Sequence, residues 1–418
     1  MSQKFWIVLT VGLILRLTLG AITYHSDIRH LDLAGYVIGG GNLLNFYDFV
    51  SGLSAGDPIV KTYPAYPFNY PPMVYFFLGG FSWLTVGWIN PSFHLNFLVD
   101  VAQVLGQSQL YLHLLLLKIP YLLFDLPLAF LLAKFFDSPK EKFLAFTLWI
   151  FNPVNLYATY MMGQFDVIPV FFSTLALYLV LRQKGRGLKN LLLSALLLGA
   201  GASFKIYPLF FLIPLASLAT SWKERVGVVT LGLLPYLVTI LPFIHSFGFR
   251  STALVANQTL KSLYPQIAVS GGEAIFLFLI LLTFLYLVML TIPARVENLW
   301  QRFFIALIPF FIFTHFHPQW FLWLAPFIIL SLVKEASLSI LPAAIMMVTF
   351  AGMIFFFDPG LSLGLFSPLN SSLYNSPSIW KILSINPDYN FARSLLQTGF
   401  AGGALYFIYH FFPKKADS

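Results

Sequence analysis

Apolar stretches of about 15 to 22 residues recur from one end of this chain to the other, and that repetition constrains the fold more than any other feature. About 20 helical residues cross a hydrocarbon core of roughly 30 Å, whereas barrel strands would leave short alternating segments. Only 10% of the residues are charged and 58% are hydrophobic, which excludes an ordinary soluble globule. The expected fold is an all-α polytopic membrane protein.

Charge placement then suggests a topology. The net charge is +8, but the basic residues sit in short connections between apolar runs, where they report orientation rather than nucleic-acid binding. Reading Lys/Arg-rich loops as cytosolic puts Lys4, the Lys134–Lys142 loop, the loop with Arg182, Lys184, Arg186 and Lys189, Lys223 and Arg225, Arg295 and Arg302, Lys334, and Lys414 with Lys415 on one side. Roughly twelve crossings result, with both termini inside. The parity requires that residues 71–117 add no net crossing, as interfacial helices or as a complete hairpin. The expected organisation is one integral membrane domain over 1–418. It comprises a large external loop with interfacial helices at 25–117, a main bundle at 118–357, a late external loop at 358–390 and a last transmembrane helix at 391–412. Residues 5–22 lack an A-x-A-like cleavage site and are interrupted by Arg16, so a retained first helix is expected. There is no cysteine, which removes disulfides and thiol catalysis.

Polar residues in such a chain are costly and therefore informative. A loop directly behind the first apolar run holds Asp27, Arg29, His30, Asp32, Asp48 and Asp57. Several later runs are broken by polar or proline-bearing segments: Asn152-Pro153, Gly163-Gln164-Phe165-Asp166, Ser203 to Pro208, and His315 to Gln319. Non-helical backbone at membrane depth persists only where protein or a water-filled cavity satisfies it, and the last three breaks fall on the same expected side as the Asp27 loop. Connections 247–271 and 358–390 are expected to cover the same cavity.

Transfer of a sugar with inversion needs a base beside the acceptor hydroxyl and donors or cations around the departing phosphate. Asp27 is the candidate base, with pairing to Arg29 or His30 as the plain alternative. Asp32 reads as a helix-capping or solvated carboxylate. Lys205 and His317, with Arg29 and His315, are the candidate phosphate contacts. Gln164, Asp166, Tyr70 and Gln319 are the candidate sugar or acceptor contacts, with N-capping the alternative for Asp166. Asp125 is expected to pair with Lys118 or line the cavity. His315 and His317 lack zinc-site spacing. No cofactor is required, and a divalent ion held by Asp27 and Asp32 is the remaining metal alternative.

In order along the chain, Thr23-Tyr24-His25-Ser26-Asp27-Ile28, Asn45-Phe46-Tyr47, Phe68-Asn69-Tyr70-Pro71-Pro72 and Lys118-Ile119-Pro120 through Asp125 resemble segments of one family. So do Phe151-Asn152-Pro153, Gly163-Gln164-Phe165-Asp166, Lys205-Ile206-Tyr207-Pro208 and His317-Pro318-Gln319-Trp320. That family is the GT-C superfamily of polyprenyl-phosphate-sugar-dependent membrane glycosyltransferases, in particular bacterial members related to mannosyltransferases of glycolipid and GPI-anchor assembly. The resemblance implies a GT-C-like bundle, with Asp27 as an external-loop base. It implies an isoprenoid-phosphate hexose donor, mannose first among candidates, and a lipid or glycan acceptor. Many relatives carry an Asp-x-Asp pair, and here Arg29 stands where the second acid would be. A transporter or lipid flippase, and a surface-glycan polymerase or ligase, are the rival readings. The expected location is a prokaryotic plasma membrane, with no nucleic-acid partner.

Overall fold

A computed structural model of the protein describes residues 3–182, 187–255, 260–315 and 317–414. Lys184, Arg186 and Lys415, used above for orientation, lie outside the described residues. The chain is 74% helical with almost no sheet, because only helices satisfy every backbone polar group within one apolar segment. It is an all-α membrane protein. Among the described residues, five helical runs are long and apolar enough to span: Gln3–Ile22, Ser108–Ala133, Trp222–Phe243, Val296–Phe313 and Ala336–Ile354. Shorter apolar helices lie at Val167–Arg182, Leu188–Ala202, Tyr207–Ala216, Leu277–Thr291 and Ala325–Lys334. The two-stranded hairpin at Gln266–Ala268 and Ala274–Phe276 turns through Gly271 and Gly272, both at positive φ.

Helix α1 (Gln3–Ile22) is apolar on all sides, so hydrophobicity does not select the face that packs inward. Small residues and one ion pair do. Its buried positions are Gly12, Arg16 and Gly20, spaced four apart on one stripe. A Cβ on Gly12 would stand 2.2 Å from Ile150 Cγ2, so glycine is what allows the contact. Arg16 donates from Nε to Asp125 Oδ2 at 2.5 Å and from Nη1 to the carbonyls of Gly12 and Ile150. Asp125 also accepts from Trp149 Nε1, Asn155 Nδ2 and Tyr160 Oη. The expected Asp125 pairing with Lys118 is therefore corrected. The longer guanidinium fork of Arg16 serves the carboxylate, and Lys118 Nζ instead donates to the carbonyls of Gly20 and Thr23 at 3.1 and 2.6 Å. A cation there complements the negative end of the α1 dipole and fixes where the chain turns into His25–Asp27.

The following helices are α2 (Ile28–Gly39), α3 (Pro72–Thr85), α4 (Pro91–Val99), α5 (Ser108–Lys118) and α6 (Leu122–Ala133). A 3₁₀ turn over Ile119–Tyr121 joins α5 to α6, so the expected boundary at 117/118 falls inside one helical run. At 1.5 Å per residue its 26 residues extend about 39 Å, more than the roughly 30 Å apolar core requires. Lys118 meets the end of α1, so α5 continues beyond that end into a layer shared with α2 and α4.

Candidate active site

Helix α7 (Pro139–Ile150) runs alongside α1. After it the chain breaks at Asn152-Pro153, and Asn152 caps the next turn through its Oδ1 to the Asn155 N–H. Residues Leu156–Met161 form a wider π turn, a feature that recurs at functional sites. It ends at Gly163, whose φ of 74° a residue with a side chain would adopt only under strain. A Cβ there would also stand 2.7 Å from Ile28 Cδ1. Tyr121 Oη donates to the Gly163 carbonyl at 2.6 Å. This bend delivers Gln164, whose Nε2 donates to Asp27 Oδ2 at 2.6 Å.

Asp27 occupies the N-cap position of α2, but its side chain makes no capping bond and is 45% exposed. Its backbone N–H donates to His25 Nδ1 at 3.3 Å. Neither Arg29 nor His30 pairs with it: Arg29 donates to the Leu98 carbonyl and lies over the Tyr63 ring. The carboxylate opens onto a cavity of about 370 Å³, whose lining includes His25, His30, Asn69, Tyr70, His317 and Asp358. Gln164, Phe165, Gln319 and Trp320 also line it, and Gln319 Oε1 is buried without a hydrogen-bond partner. A second cleft of about 360 Å³ shares His25, Ser26 and Asp358 with the first and continues to Tyr24, Tyr374, Asn375 and Ser376.

The remaining candidates are distributed differently from the sequence expectation. Asp27, Gln164, Tyr70, His317 and Gln319 meet at the cavity, while Arg29, His315, Asp166 and Lys205 do not line it. Asp166, just ahead of α8 (Val167–Arg182), accepts from Lys205 Nζ at 2.7 Å and from Trp323 Nε1, so the pair occupy each other. The ammonium lies 5.1–5.7 Å from the ring centres of Tyr70, Phe165, Trp320 and Trp323. Three of those rings also line the cavity, so Lys205 lies behind an aromatic wall of it. His315 packs against His317 and Phe357.

Electrostatics at the cavity favour the neutral forms of His30 and His317. Burial, with Lys261 and His315 nearby, lowers the His317 pKa to about 4. Burial also lowers that of His30, against the pull of Asp27. Burial raises the Tyr70 hydroxyl well above its ordinary value, helped by Asp27 and Asp166, so the phenol stays a donor. Among the described lining residues there is no Lys or Arg.

Asp32 departs most from expectation. It neither caps nor solvates a helix: it is inside α2, fully buried, and does not line the Asp27 cavity. Its Oδ2 lies 3.0 Å from His94 Nε2 and 3.0 Å from His113 Nε2, and Ser82 Oγ donates to Oδ1 at 2.5 Å. Joint metal binding by Asp27 and Asp32 is therefore not what the fold offers. Sequence reasoning passed over His94, His113, His25 and Asp358. A lone histidine in an apolar helix carries no periodic signal, and Asp358 reaches the cavity only through tertiary contact.

No family model matches this chain, and no curated protein is significantly similar to it.

Proposed function

We propose that the protein is a GT-C-type hexosyltransferase that moves one sugar, mannose first among candidates, from a polyprenyl-phosphate donor to a lipid or glycan hydroxyl, with inversion. The observation that carries this reading is a half-exposed carboxylate, Asp27, oriented by Gln164 and opening onto an aromatic-walled cavity. In the reaction the acceptor hydroxyl attacks the anomeric carbon, the bond from that carbon to the phosphate oxygen breaks, and the phosphate departs with the bonding pair. Asp27 takes the hydroxyl proton. Tyr70, Gln319 and Gln164 offer hydrogen bonds to sugar hydroxyls, and the adjoining Tyr374–Ser376 cleft offers room for the acceptor.

Leaving-phosphate stabilisation falls on His317, supported by the positive neighbourhood of Lys261 and Lys205. Preplaced donors in a dry cleft act there more strongly than in bulk water. The scheme includes about twelve crossings and a site on the external face of a prokaryotic plasma membrane, and it requires no metal. The test is transfer of labelled hexose from synthetic polyprenyl-phosphate donors by purified protein, wild type against Asp27→Asn. Full turnover by the variant removes Asp27 from the base role, and vectorial flux without glycosidic product favours a transporter.

A further inference from the structure

The Asp32 cluster stands apart from the transfer chemistry, and its three side chains are of the types, and near enough to one another, to hold a metal ion. Three helices each contribute one donor: Asp32 from α2, His94 from α4 and His113 from α5. The three donor atoms lie within 4.8 Å of one another, and the residues are buried or nearly so. Both imidazoles present Nε2 to the same carboxylate oxygen, at 3.0 Å each. Around a tetrahedral zinc ion with bonds of about 2.0–2.1 Å, ligand atoms stand about 3.3–3.4 Å apart. The two Asp32–His spacings are close to that value, and the imidazoles, whose donor atoms lie within 4.8 Å, complete the set as they turn toward a shared ion.

The surroundings also fit. Ligating carboxylates are usually held by a further hydrogen bond, and Ser82 Oγ provides it on Oδ1, leaving Oδ2 turned toward the rings. Ser82 is brought this close by a glycine: a Cβ on Gly35 would stand 2.7 Å from its Oγ and 2.8 Å from the Gly79 carbonyl. A cleft of about 410 Å³, lined by His94, Ser82, Gly39 and Trp83 among others, opens beside the cluster. It gives an entry path and room for water as a fourth ligand. Two nitrogens and one oxygen disfavour Ca²⁺ and Mg²⁺, which take oxygen ligands, and suit Zn²⁺.

We propose that Asp32, His94 and His113 bind a zinc ion that clamps α2, α4 and α5 together beyond the end of α1. Asp27 precedes the same α2, so the clamp also steadies the mouth of the cavity. The site does not depend on the transferase reading. Chelator-stripped wild-type protein titrated with Co²⁺ develops the intense visible bands of a four-coordinate ion, saturating at one equivalent and displaced by Zn²⁺. Asp32→Asn and His113→Gln each weaken Co²⁺ binding by more than about 100-fold, and Ser82→Ala, which keeps all three ligands, by about tenfold. Absence of those bands in the wild-type protein overturns the proposal even if the ligand variants fail to fold. Bands that persist unchanged in both Asp32→Asn and His113→Gln overturn it as well.

Discussion

Among the described residues Gln164 is the side chain hydrogen-bonded to the Asp27 carboxylate, with His25 Nδ1 at 3.7 Å from the same oxygen, and this decides how Asp27 and Gln164 should respond to substitution. Asp27→Asn keeps the shape and removes the proton acceptor. We expect kcat for hexose transfer to fall about 10²- to 10⁴-fold with little change in KM, measured with saturating synthetic donor. Gln164→Ala leaves the base but frees its rotamer, and we expect a smaller loss, about tenfold in kcat, as for a misplaced reacting group. His317 yields a pH prediction. Its folded pKa, about 4, lies below the unfolded value of about 6.5, so between these values the unfolded chain holds a proton that the folded one lacks. Stability therefore falls as pH drops from about 6.5 toward 4. A bound phosphodiester, which keeps one negative charge over this range, favours the imidazolium, so its affinity should rise over the same descent, and His317→Gln should flatten that dependence in a binding titration.

At the scale of elements, the bend after the π turn and the α1 anchor set the site. Gly163→Ala forces a side chain into a left-handed conformation against Ile28. We expect a loss of about 1–3 kcal/mol and, in the same variant, lower transfer activity, because Gln164 moves with the bend. Asp125→Ala leaves Arg16 charged and unpaired inside the bundle, where breaking a buried pair costs about 3–5 kcal/mol. Thermal unfolding in detergent checks both. These elements were partly legible in the sequence. Gly163-Gln164-Phe165-Asp166 reads as a break because glycine and polar residues interrupt an apolar run, but the register that aims Gln164 at Asp27 comes from packing between segments 137 residues apart. Choosing Arg16 over Lys118 as the Asp125 partner likewise depends on which face of a uniformly apolar helix turns inward.

For the whole molecule, Phe5 packs edge-on against Phe143 and tilted against Phe146, while Thr23 Oγ1 donates to the Tyr160 carbonyl. Residues 139–162 therefore run alongside α1 in the same direction, which puts Lys140 and Asp27 at opposite ends of the bundle. Because the chain has no cysteine, single-cysteine variants report this directly. Under the charge-based orientation, Ser26→Cys in intact cells reacts with a membrane-impermeant maleimide, and Lys140→Cys reacts only after permeabilisation. The reverse pattern would invert the topology.

By itself the sequence determined the class of protein, since long apolar runs with few charges have no stable fold in water and, unlike the short alternating strands of a barrel, close their backbone bonds in lipid as helices. It also determined that the polar breaks matter, because each is costly at that depth unless something satisfies it. Tertiary structure alone decided which polar groups satisfy one another. It buried Lys205 against Asp166, sent Arg29 to a backbone carbonyl, left Asp27 open beside Gln164, and gathered His94 and His113 around Asp32. The reason is physical: a charge in an apolar bundle must find a partner, and which partner is within reach depends on helix rotation and depth rather than on distance along the chain.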